Sequence, residues 1–597
     1  MIVQKLTYPE SAEFNQTMYI RCNCNHVALI GEEHKIVSTN CYNKISFDTY
    51  YSTFSYEKWK KYSKLQNVKL SIDIKGKCRL VLIGLELHGT NIDKTVLNSC
   101  IVDNPERKTV ILEYPDNLSS KTLSFTIFPL SATLEIYEGA YISDIPENEL
   151  SDVMLSLAIC TYRREPYIAR NMQMLKKYVF DNPNSPLHGH VRVVIADNGN
   201  TLDASAFDPE YIRIIPNKNS GGSGGFSRAA IEIMEDKTVA TSHIILMDDD
   251  IVFNADALER NYIFLRLLKP EYKTSMIGGA MFRTDNRYIQ HAAGETQTVD
   301  GIIFNKIGYD MRKLEDVMRN DVEERINYLG WWYCCIPAAL FETAHYSLPL
   351  FVQYDDIEFS LRNNTVPKIT LNGICCWHLP FDKKWSAFKN YYTIRNRTIV
   401  NTLCFETYTK TRFMRDVLRS SVKCLFQYGY KEANLVLLGA EDYLKGLSWL
   451  AEQDPVNLNK KVISLSDKLV EPDKLPIDYD PRNLQLNKDF YLTKRHTLKR
   501  LLTINGWLLP ANRTVTVEVD NPPIRYFYRA GNALKYDVNT GKALVTQKEY
   551  KQAMHIIGRI VKLAINTQKN YDHVKNENRK MREGLTTKEF WKDFLNF

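Results

Sequence analysis

Three carboxylates, Asp248-Asp249-Asp250, follow the apolar run Ile244-Ile245-Leu246-Met247. Such a run reads as a buried strand that ends abruptly in acid. Like charges crowded at a strand end repel one another, so a cation belongs among them. In an open α/β sheet, ligands bind just beyond the carboxyl ends of strands. A divalent metal bridging the acids to a nucleotide diphosphate would satisfy both conditions. Alternate side chains of an extended segment point the same way, so Asp248 and Asp250 can share one ligand while Asp249 points elsewhere.

Further motifs carry their own chemistry. Asn217-Lys218-Asn219-Ser220-Gly221-Gly222-Ser223-Gly224-Gly225 lies between a strand and a helix. Its glycines allow close backbone approach to a ligand, and the helix that follows offers free N–H groups to an anion. Neither the Walker nor the dinucleotide spacing is present. Asp355-Asp356-Ile357-Glu358 follows Leu348-Pro349-Leu350-Phe351-Val352. Acids there suit a helix start, and one of them suits a general base that deprotonates an attacking hydroxyl. Gly330-Trp331-Trp332-Tyr333 offers aromatic faces for sugar C–H surfaces or for plain core packing. His378 ends the apolar run Cys375-Cys376-Trp377, where an imidazole is either structural or a metal ligand.

The elements that must position these residues fall into three regions. Residues 1 to 150 read as β: Leu70, Ile72 and Ile74 alternate with polar residues, Gly76-Lys77 reads as a turn, and Leu123, Phe125 and Ile127 alternate again. This patterning predicts a β-sandwich or jelly roll. Residues 151 to 400 alternate short apolar runs (155–160, 191–196, 211–215, 244–247) with helical spacing, which predicts a parallel, Rossmann-like sheet. Residues 401 to 597 read as mainly helical. The aromatic run Tyr50, Tyr51, Phe54, Tyr56 and Trp59 suits strand packing better than glycan contact.

Composition narrows the class. Net charge is +7 over 597 residues, too mild and too dispersed for a nucleic-acid binder. It is compatible with attraction to an anionic membrane surface, and the basic stretch Lys494-Arg495-His496-Thr497-Leu498-Lys499-Arg500 suits either a lipid surface or a solvated helix face. No apolar run reaches bilayer length and no signal-peptide core opens the chain, so the expectation is a cytoplasmic protein, with peripheral attachment at the inner leaflet allowed. The 12 cysteines lack framework spacing and read as reduced. Cys22-Asn23-Cys24-Asn25-His26 lacks the second ligand pair of a zinc finger.

Taken together, Cys160-Thr161-Tyr162-Arg163-Arg164, Ala196-Asp197-Asn198-Gly199, the glycine-rich segment, the acid triplet, the Trp pair, Asp355-Asp356-Ile357-Glu358 and Trp377-His378 resemble family 2 glycosyltransferases. Within these they look most like the polymerising galactofuranosyltransferases. The resemblance implies a β-sandwich, a central GT-A domain and a helical tail. It implies Mn²⁺ or Mg²⁺ on Asp248, Asp250 and His378, with Asp356 as general base. It also implies donor-nucleotide contacts at Arg164, Asp197 and Asn219, with Gly222 and Asp249 beside them. Trp331, Trp332, His291, Glu295, Asp355 and Glu358 would serve the sugar or acceptor. Lys383, Lys384, Trp385 and Tyr391 look similar to the family as well. The implied partners are UDP-galactofuranose and a glycan or lipid-linked glycan acceptor, and a homo-oligomer is expected. A UDP-pyranose donor is the alternative. A nucleotidyltransferase would want an early glycine-rich loop bearing Arg or Lys, and a non-catalytic glycan binder would have no use for Asp356 or the metal triad.

Overall fold

The computed structural model describes residues 1–9, 16–22, 27–30, 35–39, 44–116, 118–381, 385–475 and 494–597. Residues 23–26, considered and set aside as zinc ligands, and the basic residues Lys383 and Lys384 lie outside these. The chain forms two compact units, one of residues 1–217, 225–345 and 360–379, the other of 218–224, 346–359 and 380–597.

The first unit begins with an antiparallel sheet. Its spine is the 20-residue strand Lys69–His88, which pairs with the 23-residue strand Asn91–Glu113 along its length. Leu134–Ile142 and Thr122–Pro129 pair successively with Lys69–His88 as well. The expected turn at Gly76-Lys77 is absent, and the strand runs straight through. Gly76 sits at a register shift with φ +114°, and a Cβ there would lie 2.8 Å from the Thr133 carbonyl oxygen. Glycine here makes a bulge rather than a reversal, because the period-two apolar pattern on both sides outweighs a single turn-prone residue. Tyr50, Tyr51, Phe54, Tyr56 and Trp59 are buried, so this aromatic run packs the interior.

The remainder of the first unit is built on a mixed sheet. Its order is Ile212–Pro216, Val191–Asp197, Leu155–Thr161, His243–Asp248, Tyr333–Pro337, Met276–Arg283 and Gln290–Ala292, and Lys368–His378 also pairs with Met276–Arg283. The first four strands are parallel, as the near-continuous apolar runs foretold. Chain order reverses between Leu155–Thr161 and His243–Asp248, which opens a crevice at their carboxyl ends. Lys368–His378 is parallel to Met276–Arg283, so His378 reaches that same edge of the sheet. Leu70 and Phe125 of the antiparallel sheet share one buried core with Leu157, Met247 and Ile277 of the mixed sheet. Buried Cys334, Cys335, Cys375 and Cys376 form no disulfide among the described residues.

The second unit is mainly helical, with Lys389–Cys404, Lys410–Phe426, Tyr430–Tyr443 and the 32-residue helix Tyr550–Met581 as its longest elements. It also holds a three-stranded sheet, Arg513–Glu518, Ala530–Tyr536 and Ala543–Gln547, which the helical expectation missed. Thr514, Thr516 and Glu518 alternate with Val515, Val517 and Val519, a period-two signal for the first of these strands that the helical reading passed over.

Candidate active site

Strand His243–Asp248 delivers the acid triplet at the switch point of the first unit. Just past it, Val252 and Trp377 exchange backbone hydrogen bonds of 2.7 Å in both directions. That bridge carries His378 to the acids. His378 Nε2 lies 3.0 Å from Asp250 Oδ1 and 4.0 Å from Asp248 Oδ2. One ligand atom from each of the three side chains falls within 4.8 Å of the others. The His378 and Asp250 side chains are 3% and 9% exposed, while Asp248 remains 36% open. Two carboxylates and an imidazole, one of them facing outward, suit a divalent cation such as Mn²⁺ or Mg²⁺ with a position left for a ligand.

The neighbouring acid behaves differently. Asp249 accepts hydrogen bonds from Thr161 Oγ1 at 2.8 Å and the Tyr162 amide at 3.4 Å. Burial raises its pKa. It therefore ties the acid turn to the end of Leu155–Thr161. Arg163 holds φ +56° there, and Arg164 points its guanidinium at Asp250 Oδ2 from 3.5 Å. Asp197 spends both oxygens on backbone amides, those of Gly199, Thr201 and Leu202, at 2.7 to 2.9 Å. It is 2% exposed, so its present work is to shape the turn after Val191–Asp197.

The aromatic pair is largely enclosed. Trp331 and Trp332 are 6% and 8% exposed. Trp331 meets Phe226 edge-on, and Trp332 donates its indole N–H to the Gly279 carbonyl at 2.9 Å. His291 is half-buried with its ring beside Phe304. Glu295 is 1% exposed, accepts a 3.1 Å hydrogen bond from the Ala293 amide, and has its carboxyl pushed up to about 8 by burial. At neutral pH it is chiefly the uncharged acid.

In the second unit the acids open the helix Asp355–Arg362. Asp356 is half-buried and Glu358 fully buried. Asp355 is buried too, which raises its pKa, and it accepts from Ser223 Oγ at 3.1 Å. The glycines of this segment are helical: 217–220 lie outside regular structure, and Gly221–Gly225 open helix Gly221–Glu235. Asn219 Oδ1 accepts from the Gly221 amide, which sets up that helix start. Gly222 follows within its first turn and is half-buried. Gly221 holds φ +67°, and a Cβ on it would fall 1.9 Å from the Phe351 carbonyl oxygen. Glycine is thus required where the helix start meets the segment leading to Asp355.

That segment is strained. Phe351, Gln353 and Tyr354 all have positive φ, at +75°, +66° and +69°. Such residues persist only where their surroundings over-determine them, and they cluster at functional sites. The restraint comes from two side chains that sequence reasoning passed over, Arg395 and Asn396, 1% and 0% exposed. An Arg-Asn pair in mid-helix, where charge is seldom buried, was the available clue.

A family model described as Galactofuranosyltransferase 2 N-terminal matches residues 3–115. The galactofuranosyltransferase GlfT2 of Mycolicibacterium smegmatis is 24% identical over 436 residues, 68% of this chain and 64% of that protein. GlfT2 of Mycobacterium tuberculosis is 24% identical over 441 residues, 68% of this chain and 66% of that protein. The matched region thus spans slightly under two thirds of either relative. Among solved structures, the mannosyltransferase PcManGT from Pyrobaculum calidifontis, in complex with GDP-Man and Mn²⁺, aligns with TM-score 0.28 at 13% identity, over 54% of this chain and 83% of that one. The sequence relatives, not this distant structural match, carry the likeness: the chain resembles the mycobacterial galactofuranosyltransferase GlfT2.

Proposed function

We propose that this protein is an inverting, metal-dependent glycosyltransferase of the GT-A type, which moves galactofuranose from UDP-galactofuranose to a hydroxyl of a cell-surface glycan. The division at about residues 150 and 400 into sandwich, catalytic domain and helical tail belongs to this reading. The observation that carries it is the cluster of Asp248, Asp250 and His378 at the switch point of the mixed sheet, where its parallel strands end. The likeness to GlfT2 supports the furanose donor.

In the proposed reaction Asp356 takes the proton from the acceptor hydroxyl as that oxygen attacks the anomeric carbon. UDP leaves from the opposite face, and the transition state is oxocarbenium-like. Asp248, Asp250 and His378 would hold Mn²⁺ or Mg²⁺, which when bound supplies Lewis-acid neutralisation of the diphosphate charge. Arg164, Asn219 and Gly222 contribute to the donor site, with Asp197 and Asp249 fixing the backbone around it. Trp331, Trp332, His291, Asp355 and Glu358 shape the sugar and acceptor side. Glu295, held neutral, can donate a hydrogen bond there.

The test is UDP release from a panel of UDP-sugars with an oligosaccharide acceptor and Mn²⁺. UDP-galactofuranose should give the highest kcat/KM. Preference for UDP-galactose or UDP-glucose would favour the pyranose alternative, and no release from any donor would end the reading.

Peripheral membrane attachment and self-association are part of the same proposal. Tyr550, Met554, Ile557, Val561 and Ile565 form an apolar stripe, 44 to 65% exposed, along Tyr550–Met581. No acidic residue occurs from 550 to 571, and Lys551, Lys562 and Lys569 are exposed there. Apolar side chains flanked by cations suit an anionic lipid surface. Among the described residues no helix is long and apolar enough to cross a bilayer.

A further inference from the structure

Both acidic turns are gripped from behind in the same way, by an Arg-Asn pair on a helix. In the second unit, on helix Lys389–Cys404, Asn396 Nδ2 donates to the carbonyls of Leu350, Val352 and Gln353 at 3.1, 2.8 and 3.0 Å. Arg395 Nη2 joins it on Leu350 O at 2.8 Å. Arg395 Nε donates to Asn396 Oδ1 at 2.9 Å, which fixes the amide so that its NH₂ faces the turn. Arg395 is held in turn by Tyr391, whose hydroxyl donates to Asp442 at 2.8 Å. The three carbonyls belong to the strained segment that ends at Asp355 and Asp356. In the first unit, on helix Glu165–Leu175, Arg170 Nη2 and Asn171 Nδ2 both donate to the carbonyl of Ile251, at 2.5 and 3.1 Å, one residue past Asp250. Arg170 again donates to its own neighbour, Asn171 Oδ1, at 3.4 Å.

We propose that Asn396 and Asn171 are positioning residues, Asn396 for the acid helix that carries Asp356 and Asn171 for the carboxylates that face the cation. Neither touches a reacting atom in this account. Each supplies amide N–H donors to backbone oxygens that the turn leaves unpaired, and so holds a carboxylate-bearing segment in one conformation. Buried carbonyls without such donors would relax the turn to another conformation. A base displaced by about 1 Å costs about 100-fold in rate. Loss of a residue that orients metal ligands costs about 10- to 100-fold in metal affinity. The inference rests on the glycosyl-transfer reading for its catalytic half only.

The experiment crosses two variants with two readouts on the full-length protein. Asn396→Asp and Asn171→Asp keep size but replace the donor with a carboxylate. Mn²⁺ affinity is read by titration calorimetry without donor, and kcat with saturating Mn²⁺, donor and acceptor. Asn396→Asp should lower kcat about 10- to 100-fold, with Mn²⁺ affinity and donor KM unchanged. Asn171→Asp should weaken Mn²⁺ binding about tenfold or more. Alanine variants, which remove the donor without burying a charge, should show the same split between the two readouts. Equal losses in both readouts from either position, tracking Tm, would overturn the proposal as ordinary destabilisation. An active Asp356→Asn enzyme would overturn the transfer reading, and the Mn²⁺ arm would still judge Asn171. An inactive Asp356→Asn beside an unimpaired Asn396→Asp would overturn the clamp alone.

Discussion

Two carboxylates near the proposed chemistry, Asp249 and Asp197, are committed to hydroxyl or backbone N–H donors. The family resemblance places both beside the nucleotide, and motif position by itself does not tell a ligand contact from a turn-maker: each needs an acceptor at a strand end. Glu295 shows the same ambiguity. Its folded pKa, about 8 against an ordinary 4.5, makes a prediction with a definite sign. Below pH 4.5 folded and unfolded chains both carry the proton. As pH rises toward 8, the unfolded chain ionises while the folded one stays protonated, so stability falls. Glu295→Gln removes that loss. The difference between its Tm and that of the native protein should be smallest below pH 4.5 and grow in favour of the variant toward pH 8. A constant or reversed difference would mean that Glu295 is ionised in the fold. The cation ligands give a second prediction: His378→Ala should weaken Mn²⁺ binding by about tenfold or more in calorimetry, because one of three donors is lost. Unchanged affinity would remove His378 from the ligand set.

Strand ends and helix starts do the positioning. The four parallel strands were legible because each is a short, unbroken apolar run, and the acid at the end of His243–Asp248 marked the crevice. What the pattern could not disclose was that the glycine run is helical, since glycine is a poor helix former and reads as loop. Its tolerance there is steric. Gly221→Ala would place a Cβ against the Phe351 carbonyl at positive φ, so a loss of about 2 kcal/mol or more is expected. Thermal unfolding should show a clear drop in Tm and donor KM should rise; a native Tm would mean that the helix start and the 351 turn are not in contact. The Arg-Asn clamps stayed hidden for another reason. Their partners are main-chain carbonyls, which leave no mark in side-chain pattern.

For the whole molecule, the exposed apolar stripe on Tyr550–Met581 is the feature that the proposed transfer does not consume. Its heptad-like spacing was overlooked in the sequence because the same residues fit a helix packed on its neighbours. Liposome flotation separates the cases: the protein should float with vesicles rich in anionic lipid at low salt and dissociate as salt rises. Ile557→Glu with Val561→Glu should abolish flotation and leave UDP release from a soluble acceptor intact. Flotation unaffected by these charges would place the contact elsewhere.

The central claim is that Asp356 removes the acceptor proton in a sugar transfer assisted by the cation on Asp248, Asp250 and His378. It is tested most directly by single-turnover transfer from UDP-galactofuranose with Asp356→Asn, scored beside UDP affinity in Mn²⁺. The account predicts UDP binding within about twofold of native and a transfer rate down by at least about 100-fold. Transfer at the native rate in that variant would contradict it.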